Sequence, residues 1–170
     1  MSNEKKLTFK YGVYEGDVAG GMPHGKGKLT YNGGDIYEGD WVHGKHHGNG
    51  KYIWTDGLVY EGDFVNGDFN GKGKIRYITG NTYEGDFVDN DCHGKGKFTF
   101  VNGDVYEGDF SDGEFIGKGK YTYANGDMYE GDFAYSQHSH EGEPNGKGKM
   151  TYADGRVEKG EWKDGEFVGE

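Results

Sequence analysis

The sequence repeats itself every 23 residues, and this period limits the folds that are open to it. A Tyr-Glu-Gly-Asp block begins at six evenly spaced positions, namely Tyr14, Tyr37, Tyr60, Tyr83, Tyr106 and Tyr129. A degenerate copy begins at Glu158, which is 29 rather than 23 residues after Tyr129, so the sixth repeat carries six extra residues. A fixed period of this length is typical of repeat arrays, in which each unit packs on its neighbours.

Each repeat contains two stretches in which the residue types alternate with the two-residue period of a β-strand. In the fifth repeat they are residues 105–110 and 117–123, separated by turn residues and followed by Asn125-Gly126, a strong hairpin signal. No segment has apolar residues at helical spacing. The sequence therefore predicts an all-β fold: an elongated, twisted, single-layer antiparallel sheet of consecutive β-hairpins with about 14 strands.

The alternation also assigns residues to the two faces of this sheet. Tyr106, Gly108 and Phe110 fall on one face of their strand, and Glu107 and Asp109 fall on the other. The simplest register groups rings with glycines and places these carboxylates opposite the lysines of the next strand, which contributes about 0.2–1 kcal/mol per pair. Because glycine has no Cβ, a neighbouring ring can lie flat on it. A single layer can thus bury apolar area without a second layer.

Composition excludes several other classes of protein. The chain has 35 glycines but only 2 prolines, and it lacks the three-residue period of collagen. One cysteine cannot form a disulfide framework, and no run of 18 apolar residues or signal-peptide core is present. We therefore expect a cytoplasmic protein. Its net charge of −11 disfavours nucleic acid and anionic lipid as partners.

Two motifs resemble catalytic sites but lack residues that the chemistry needs. Residues 20–26 have the glycine and lysine spacing of a P-loop, but Gly27 follows where a Ser or Thr must bind magnesium. Cys92 is the only cysteine, and no base accompanies it in the pattern to activate a thiolate. We predict that the protein is not an enzyme and has no catalytic residues and no cofactor.

The six-residue insertion contains the densest group of metal-binding residue types. It holds His138, His140, Glu141 and Glu143 close together in the sequence. A zinc or nickel site there stays open as an alternative. A polar loop is the interpretation we favour, and we predict no metal.

The repeats resemble the MORN (membrane occupation and recognition nexus) repeat, whose pattern is close to YEGxWxxGxxxGxGxxxxxxGxxY. In the second repeat the matching positions are Tyr37, Glu38, Gly39, Trp41, Gly44, Gly48, Gly50, Gly57 and Tyr60. The resemblance covers roughly residues 14–170. It implies a scaffold of the kind found in ciliary, cytoskeletal and membrane-junction assemblies, and attached to lipid kinases and a histone methyltransferase. Small proteins made of MORN repeats alone bind partner segments, including myosin tails, in the groove of the sheet.

On this basis the predicted domain organisation is a single MORN-repeat array over residues 1–170. Residues 1–13 form an N-terminal capping strand, and residues 14–157 form six repeats. The sixth repeat carries the six-residue insertion near residues 135–145. Residues 158–170 form a partial C-terminal capping repeat.

We expect a non-enzymatic protein–protein interaction scaffold that binds a partner peptide or helix in a groove of rings and glycines. Rings offer large contact area at low rotamer cost, and carboxylate-rich turns favour basic partners. The rings predicted to bind the partner are Tyr37, Trp41, Tyr52, Trp54, Tyr60, Phe64, Tyr77, Tyr83, Phe87, Phe100, Tyr106, Phe110 and Tyr123.

Two alternatives to this function remain open. One is a phospholipid- or membrane-binding module that uses the lysines beside the G-x-G-K blocks. The other is a structural element that joins end to end into homo-oligomers through its terminal strands. In all three cases the expected location is the cytoplasm, in association with cytoskeleton, cilium or membrane.

Overall fold

A computed structural model describes residues 5–136 and 142–170 of the chain. These residues form fifteen β-strands and no helix, and the strands follow one another in chain order in one open antiparallel sheet. The predicted all-β, single-layer sheet of consecutive hairpins is therefore confirmed. The strands are β1 Lys5–Phe9, β2 Gly12–Ala19, β3 Met22–Tyr31, β4 Ile36–Val42, β5 Lys45–Ile53, β6 Val59–Val65, β7 Asp68–Arg76, β8 Thr82–Val88, β9 Asp91–Thr99, β10 Val105–Ser111, β11 Glu114–Thr122, β12 Met128–Ala134, β13 Glu143–Thr151, β14 Val157–Lys163 and β15 Glu166–Gly169.

The strand count is one higher than the predicted number of about 14. The additional strand is β15, which has four residues and pairs with the C-terminal half of β14, from Lys163↔Glu166 to Glu161↔Gly169. It lacks the G-x-G-K block that marks the second strand of each repeat. The sequence pattern therefore did not identify it as a strand.

The chain comprises two compact units with the same repeating architecture. The first unit runs to Ile78 and includes Phe87–Asn90. The second unit comprises Thr79–Asp86 and the chain from Asp91 onward. Each unit has its own set of buried rings.

The tyrosine of each Tyr-Glu-Gly-Asp block forms the centre of the core. Tyr37 illustrates the arrangement: it is fully buried, and its hydroxyl donates a 2.8 Å hydrogen bond to the backbone oxygen of Asp40. The ring lies on the facing pair Gly39↔Gly50, and a Cβ built at Gly50 would come within 2.4 Å of the Tyr37 oxygen. The glycines therefore provide the space for the rings, as the sequence predicts.

From the second repeat onward, a second ring packs into the core after a β-bulge, as β4 shows. In β4 the register shifts between Gly39 and Trp41, so Asp40 is the bulged residue. Trp41 then packs edge-on against Tyr37 with 5.0 Å between ring centroids, and its indole N–H donates to the Gly27 carbonyl at 3.0 Å. The equivalent buried rings are Phe64, Phe87, Phe110, Phe133 and Trp162.

The opposite face of the sheet carries alternating carboxylates and ammonium groups. In the first unit Lys51 lies opposite both Glu38 and Glu61, and its Nζ is 3.2 Å from Glu61 Oε2. In the second unit Lys97 Nζ lies 3.3 Å from Glu107 Oε1. The predicted pairing of carboxylates with lysines is present, but these side chains are exposed, so each pair contributes only about 0–1 kcal/mol.

Polar side chains link the turns of successive repeats. Asp35 Oδ1 accepts a 3.0 Å hydrogen bond from the Thr55 backbone N–H. In the second unit Asp104 Oδ1 accepts the equivalent bond from Ala124 at 2.7 Å. Each bond fixes one turn relative to the next, which holds neighbouring side chains of the aromatic face in a constant order.

Candidate partner-binding groove

One aromatic position of each repeat stays half-exposed at the end of the second strand. Trp54 shows why: its backbone N–H donates to the Leu58 carbonyl at 3.0 Å, and its own carbonyl accepts from Gly57 at 3.1 Å. This turn fixes the backbone and leaves the ring at the margin of the sheet. We call the six equivalent rings the rim column: Tyr31, Trp54 and Tyr77 in the first unit, and Phe100, Tyr123 and Tyr152 in the second.

In the first unit, Tyr31 of the rim column lines a groove of about 440 Å³, which we call the rim groove. Tyr11 and Tyr31 form one wall, and the buried side chains of Leu29 and Trp41 contribute the floor together with His46. Hairpin-turn residues complete the lining: Gly44, Lys45, Asn66 and Gly67.

The rings beside this groove form a continuous aromatic surface. Ring centroids are 6.2 Å apart for Tyr11 and Tyr31, 5.9 Å for Tyr31 and Tyr52, and 4.1 Å for Tyr52 and Trp54. Tyr11 is 52 % exposed, and the other three rings are half-exposed. A partner that lies across the strands would therefore meet ring after ring.

His46 supports this surface from below. Its ring stacks on Tyr37 with 3.7 Å between centroids, and its Nε2 lies 3.2 Å from the Tyr31 hydroxyl oxygen. Burial lowers the pKa of His46 to about 4, so the ring is neutral at pH 7. Burial also raises the pKa of Tyr31 and of Tyr52, and the nearby Asp35 carboxylate raises both further. The rings of the groove are therefore uncharged at neutral pH.

The charged face of the first unit has a concave surface of its own, with a volume of about 550 Å³. Its floor is glycine backbone, and lysines and glutamates alternate along its walls because Lys28 lies opposite Glu15 on one side and Glu38 on the other. Lys26 Nζ likewise lies 2.6 Å from Asp40 Oδ1. This surface offers paired charges rather than a basic patch.

The structure places the predicted partner-binding rings in two groups. Eight are buried in the cores of their units: Tyr37, Trp41, Tyr60, Phe64, Tyr83, Phe87, Tyr106 and Phe110. Five are half-exposed: Tyr52, Trp54, Tyr77, Phe100 and Tyr123. Tyr52 and Trp54 continue the aromatic wall of the rim groove, while Phe100 and Tyr123 belong to the second unit. Their role in binding stays a prediction.

Of the side chains that form the wall and floor of the groove, only Trp41 was in that prediction, and Tyr11, Leu29, Tyr31 and His46 were missing from it. Tyr31 could have been found, because it lies 23 residues before Trp54 on the repeat frame. His46 gives a weaker signal, since the equivalent residue is Phe69 in the next repeat and the residue type changes along the array.

Within the parts of the chain that the structure describes, no group of three or more His, Cys, Asp or Glu side chains could hold a metal ion. The insertion residues considered above as metal ligands, His138, His140 and Glu141, lie outside the described residues, and Glu143 begins β13. Nor do the described ranges contain a helix with the length and apolar character to cross a membrane.

The family model of the MORN repeat matches residues 14–36, 37–59, 60–82, 83–105, 106–128, 138–155 and 159–170. These matches cover most of the chain, so the protein belongs to the MORN repeat family. No curated protein matches the sequence.

Among solved structures, the fold is similar to the TCP domain of SAS-4 (dCPAP) from Drosophila melanogaster, in complex with a proline-rich motif of Ana2 (dSTIL). The TM-score is 0.51 at 16 % identity, covering 94 % of this chain and 90 % of that one. The TCP10 domain of Danio rerio CPAP, in complex with a STIL peptide, gives a TM-score of 0.29 at 13 % identity, covering 94 % and 84 %. The first likeness concerns the fold alone, and the second is too low to support an argument.

Proposed function

We propose that the protein is a non-enzymatic scaffold that binds a peptide segment of a partner protein in the rim groove. The observation that carries this proposal is the run of exposed and half-exposed rings from Tyr11 to Trp54 beside a 440 Å³ groove. Contiguous exposed apolar surface is a mark of an interaction site. Tyrosine and tryptophan are also the residues that most often dominate interface energies.

The position of the groove dictates how a partner is held. It lies on the face of the sheet, between strands that already have hydrogen-bonded neighbours on both sides, such as β4 between β3 and β5. A partner cannot add a strand there, so its side chains must contact the rings directly. The half-exposed rings are held by turns, and the Tyr31 hydroxyl also contacts His46 Nε2, which reduces the entropy lost on binding.

The similar fold of the TCP domain gives the proposal further support, since that domain forms a complex with a proline-rich motif of another protein. The alternation of lysine and glutamate on the charged face does not favour the membrane-binding alternative, because anionic lipid needs unpaired positive charge. Association with cytoskeleton or cilium stays a prediction from the family resemblance, and end-to-end assembly into homo-oligomers stays a prediction from the partial last repeat.

The test begins with selection of twelve-residue peptides from a random phage-displayed library on the full chain. Affinities of the selected peptides are then measured by calorimetry. The double variant Tyr31→Ala/Trp54→Ala should weaken binding by about tenfold or more, because it removes two ring contacts. Phe100→Ala/Tyr123→Ala is the matched control, since it removes two rings at equivalent positions of the second unit. Trp41 is unsuitable as a test residue because it is 3 % exposed and belongs to the core.

The control pair should change the affinity by less than about twofold, because its rings lie in the second unit and not on the aromatic surface that runs from Tyr11 to Trp54. Circular dichroism must show the same β-sheet spectrum for both double variants. Unchanged affinity in Tyr31→Ala/Trp54→Ala would overturn the assignment of the site. A loss seen only in the control pair would move the site to the second unit and overturn it equally.

A further inference from the structure

We infer that the segment held by the rim groove is a basic, proline-rich stretch in the polyproline II conformation, with one turn of that helix per MORN repeat. This inference rests on the proposed function and names the chemistry of its partner. Three observations support it: the spacing of the rings in the rim column, the indole N–H of Trp54 and the aspartate carboxylates beside the rings.

The spacing of the rim column suits one regular peptide conformation in particular. Tyr31, Trp54 and Tyr77 occupy equivalent positions two strands apart, which corresponds to about 9.6 Å per repeat. A polyproline II helix has three residues per turn and rises about 3.1 Å per residue, so it repeats about every 9.3 Å. The mismatch is only about 0.3 Å per repeat. Every third residue of such a segment therefore meets a rim ring.

In the other regular conformations, the repeat distance of the peptide does not match the spacing of the rim rings. Two turns of an α-helix, taken as seven residues, advance about 10.5 Å, which is about 0.9 Å too long for each repeat. In an extended strand, residues on the same side recur about every 6.6 Å, so successive side chains would miss successive rings. Over the two intervals from Tyr31 to Tyr77, only polyproline II keeps its register.

The side chains of the aromatic wall provide what such a segment needs. A polyproline II backbone makes no internal hydrogen bonds, so its carbonyls accept from outside donors. The indole N–H of Trp54 makes no hydrogen bond within residues 5–136 and 142–170 and can donate to one of these carbonyls. The flat Tyr52 and Trp54 rings, 4.1 Å apart, offer the kind of aromatic surface on which proline rings pack.

The charges along the turn edge of the aromatic wall favour basic residues in the partner. Asp35 lies beside Tyr31 and Tyr52, and its Oδ1 is held by the Thr55 N–H. Asp56 is exposed two residues after Trp54, and the chain as a whole has a net charge of −11. Lys45 lies among the hairpin-turn residues that line the groove. Lysine or arginine directed toward the aspartates is therefore the complementary choice.

The experiment titrates capped twelve-residue peptides into the full chain and follows tryptophan fluorescence and heat. The probe is (Pro-Pro-Lys)₄. The first control, (Gly-Gly-Lys)₄, has the same charge without the polyproline II preference, and the second, (Pro-Pro-Glu)₄, keeps the conformation and reverses the charge. We expect the probe to bind at least about tenfold more tightly than either control, because it is preorganised and complementary in charge. Tyr31→Ala/Trp54→Ala should remove that advantage.

A fourth peptide tests the register directly. Inserting one glycine between the second and third Pro-Pro-Lys turns shifts the following residues by about 3 Å, a third of the repeat, and should weaken binding several-fold.

Each outcome bears on a separate part of the inference. Equal affinity of (Pro-Pro-Lys)₄ and (Gly-Gly-Lys)₄ would overturn the polyproline II conformation, and equal affinity of (Pro-Pro-Lys)₄ and (Pro-Pro-Glu)₄ would overturn the preference for a basic segment. If none of these peptides binds but a library-selected peptide of other chemistry binds through Tyr31 and Trp54, this inference fails while the proposed function stands. If no peptide of either origin binds, both fail.

Discussion

His46 stacks on Tyr37 with 3.7 Å between the ring centroids and 16° between the ring planes. In the third and fifth repeats the same position holds a phenylalanine: Phe69 stacks on Tyr60 at 3.7 Å, and in the second unit Phe115 stacks on its tyrosine at 3.9 Å. The stacking position is therefore built for an apolar ring, and His46 places an ionisable ring there. The consequence is a pH dependence that the other stacking residues do not share.

The free energy of unfolding should decrease as the pH falls from about 6.5 to about 4. Burial lowers the pKa of His46 from 6.5 to about 4, so the unfolded chain takes up the proton first. The contribution of the neutral His46 to stability is therefore complete above pH 6.5 and is lost through this window, by up to about 3.5 kcal/mol at about 1.4 kcal/mol per pH unit. Urea unfolding at pH 7.0, 5.5 and 4.5 measures it.

His46→Phe is the variant that isolates this effect. It reproduces the Phe69 stack, so the variant should fold with similar stability at pH 7 and lose less stability at pH 4.5 than the natural chain. His93→Asn is the control, since asparagine occupies the equivalent position at Asn70. A His46→Phe variant with the same pH profile as the natural chain would refute the assignment to His46.

Two glycine substitutions should have opposite effects on the melting temperature. A Cβ at Gly50 would lie 2.4 Å from the Tyr37 hydroxyl oxygen and 2.7 Å from ring carbons, so Gly50→Ala forces the ring from its place and costs about 1–3 kcal/mol or more. A Cβ at Gly33 meets nothing within 4 Å and its φ is not positive, so Gly33→Ala should be neutral or slightly stabilising. Similar melting temperatures for the two variants would contradict the role of glycine as space for the ring.

The sequence was sufficient to predict the sheet and its hairpins but not which rings remain accessible. Period and alternation placed Tyr37, Trp41 and Tyr52 on one face, and the structure has Tyr37 and Trp41 buried and Tyr52 half-exposed. The difference depends on the bulge at Asp40 and on the stack of His46 over Tyr37, which close the centre of the face. Neither feature has a fixed sequence signature, because the bulge is a register shift and the stacking residue varies between repeats.

Asp40 should contribute to stability mainly as a hydrogen-bond acceptor at the bulge rather than as a charge. Its Oδ2 accepts the Asn49 backbone N–H at 3.0 Å, and its Oδ1 lies 2.6 Å from Lys26 Nζ. Asp40→Ala removes both contacts and should cost about 1–2 kcal/mol. Asp40→Asn keeps an oxygen acceptor and loses only the exposed ion pair, so it should cost less than about 1 kcal/mol.

Chemical denaturation in urea at low and high salt separates the two contributions to Asp40. Added salt should reduce the difference between the natural chain and Asp40→Asn, because it screens the ion pair. It should leave the difference between Asp40→Asn and Asp40→Ala unchanged. Equal losses in the two variants would show that the charge, and not the hydrogen bond, is what matters at the bulge.

Leu58 marks a turn where an inter-repeat hydrogen bond can be added. It occupies the repeat position of Asp35 and Asp104, whose carboxylates accept the backbone N–H of Thr55 and Ala124 in the following turn. In both of these bonds the donor lies 20 residues after the acceptor. The corresponding donor for Leu58→Asp is therefore the backbone N–H of Ile78. We expect a gain of about 0.5–1.5 kcal/mol from the new bond, reduced by the apolar contact that the half-exposed leucine loses.

Leu58→Ala is the control, because it loses the same apolar contact and supplies no acceptor. Leu58→Asp should therefore be more stable than Leu58→Ala in urea unfolding, with slower hydrogen exchange at the Ile78 amide. Equal stability and equal exchange in the two variants would show that the bond does not form at this turn.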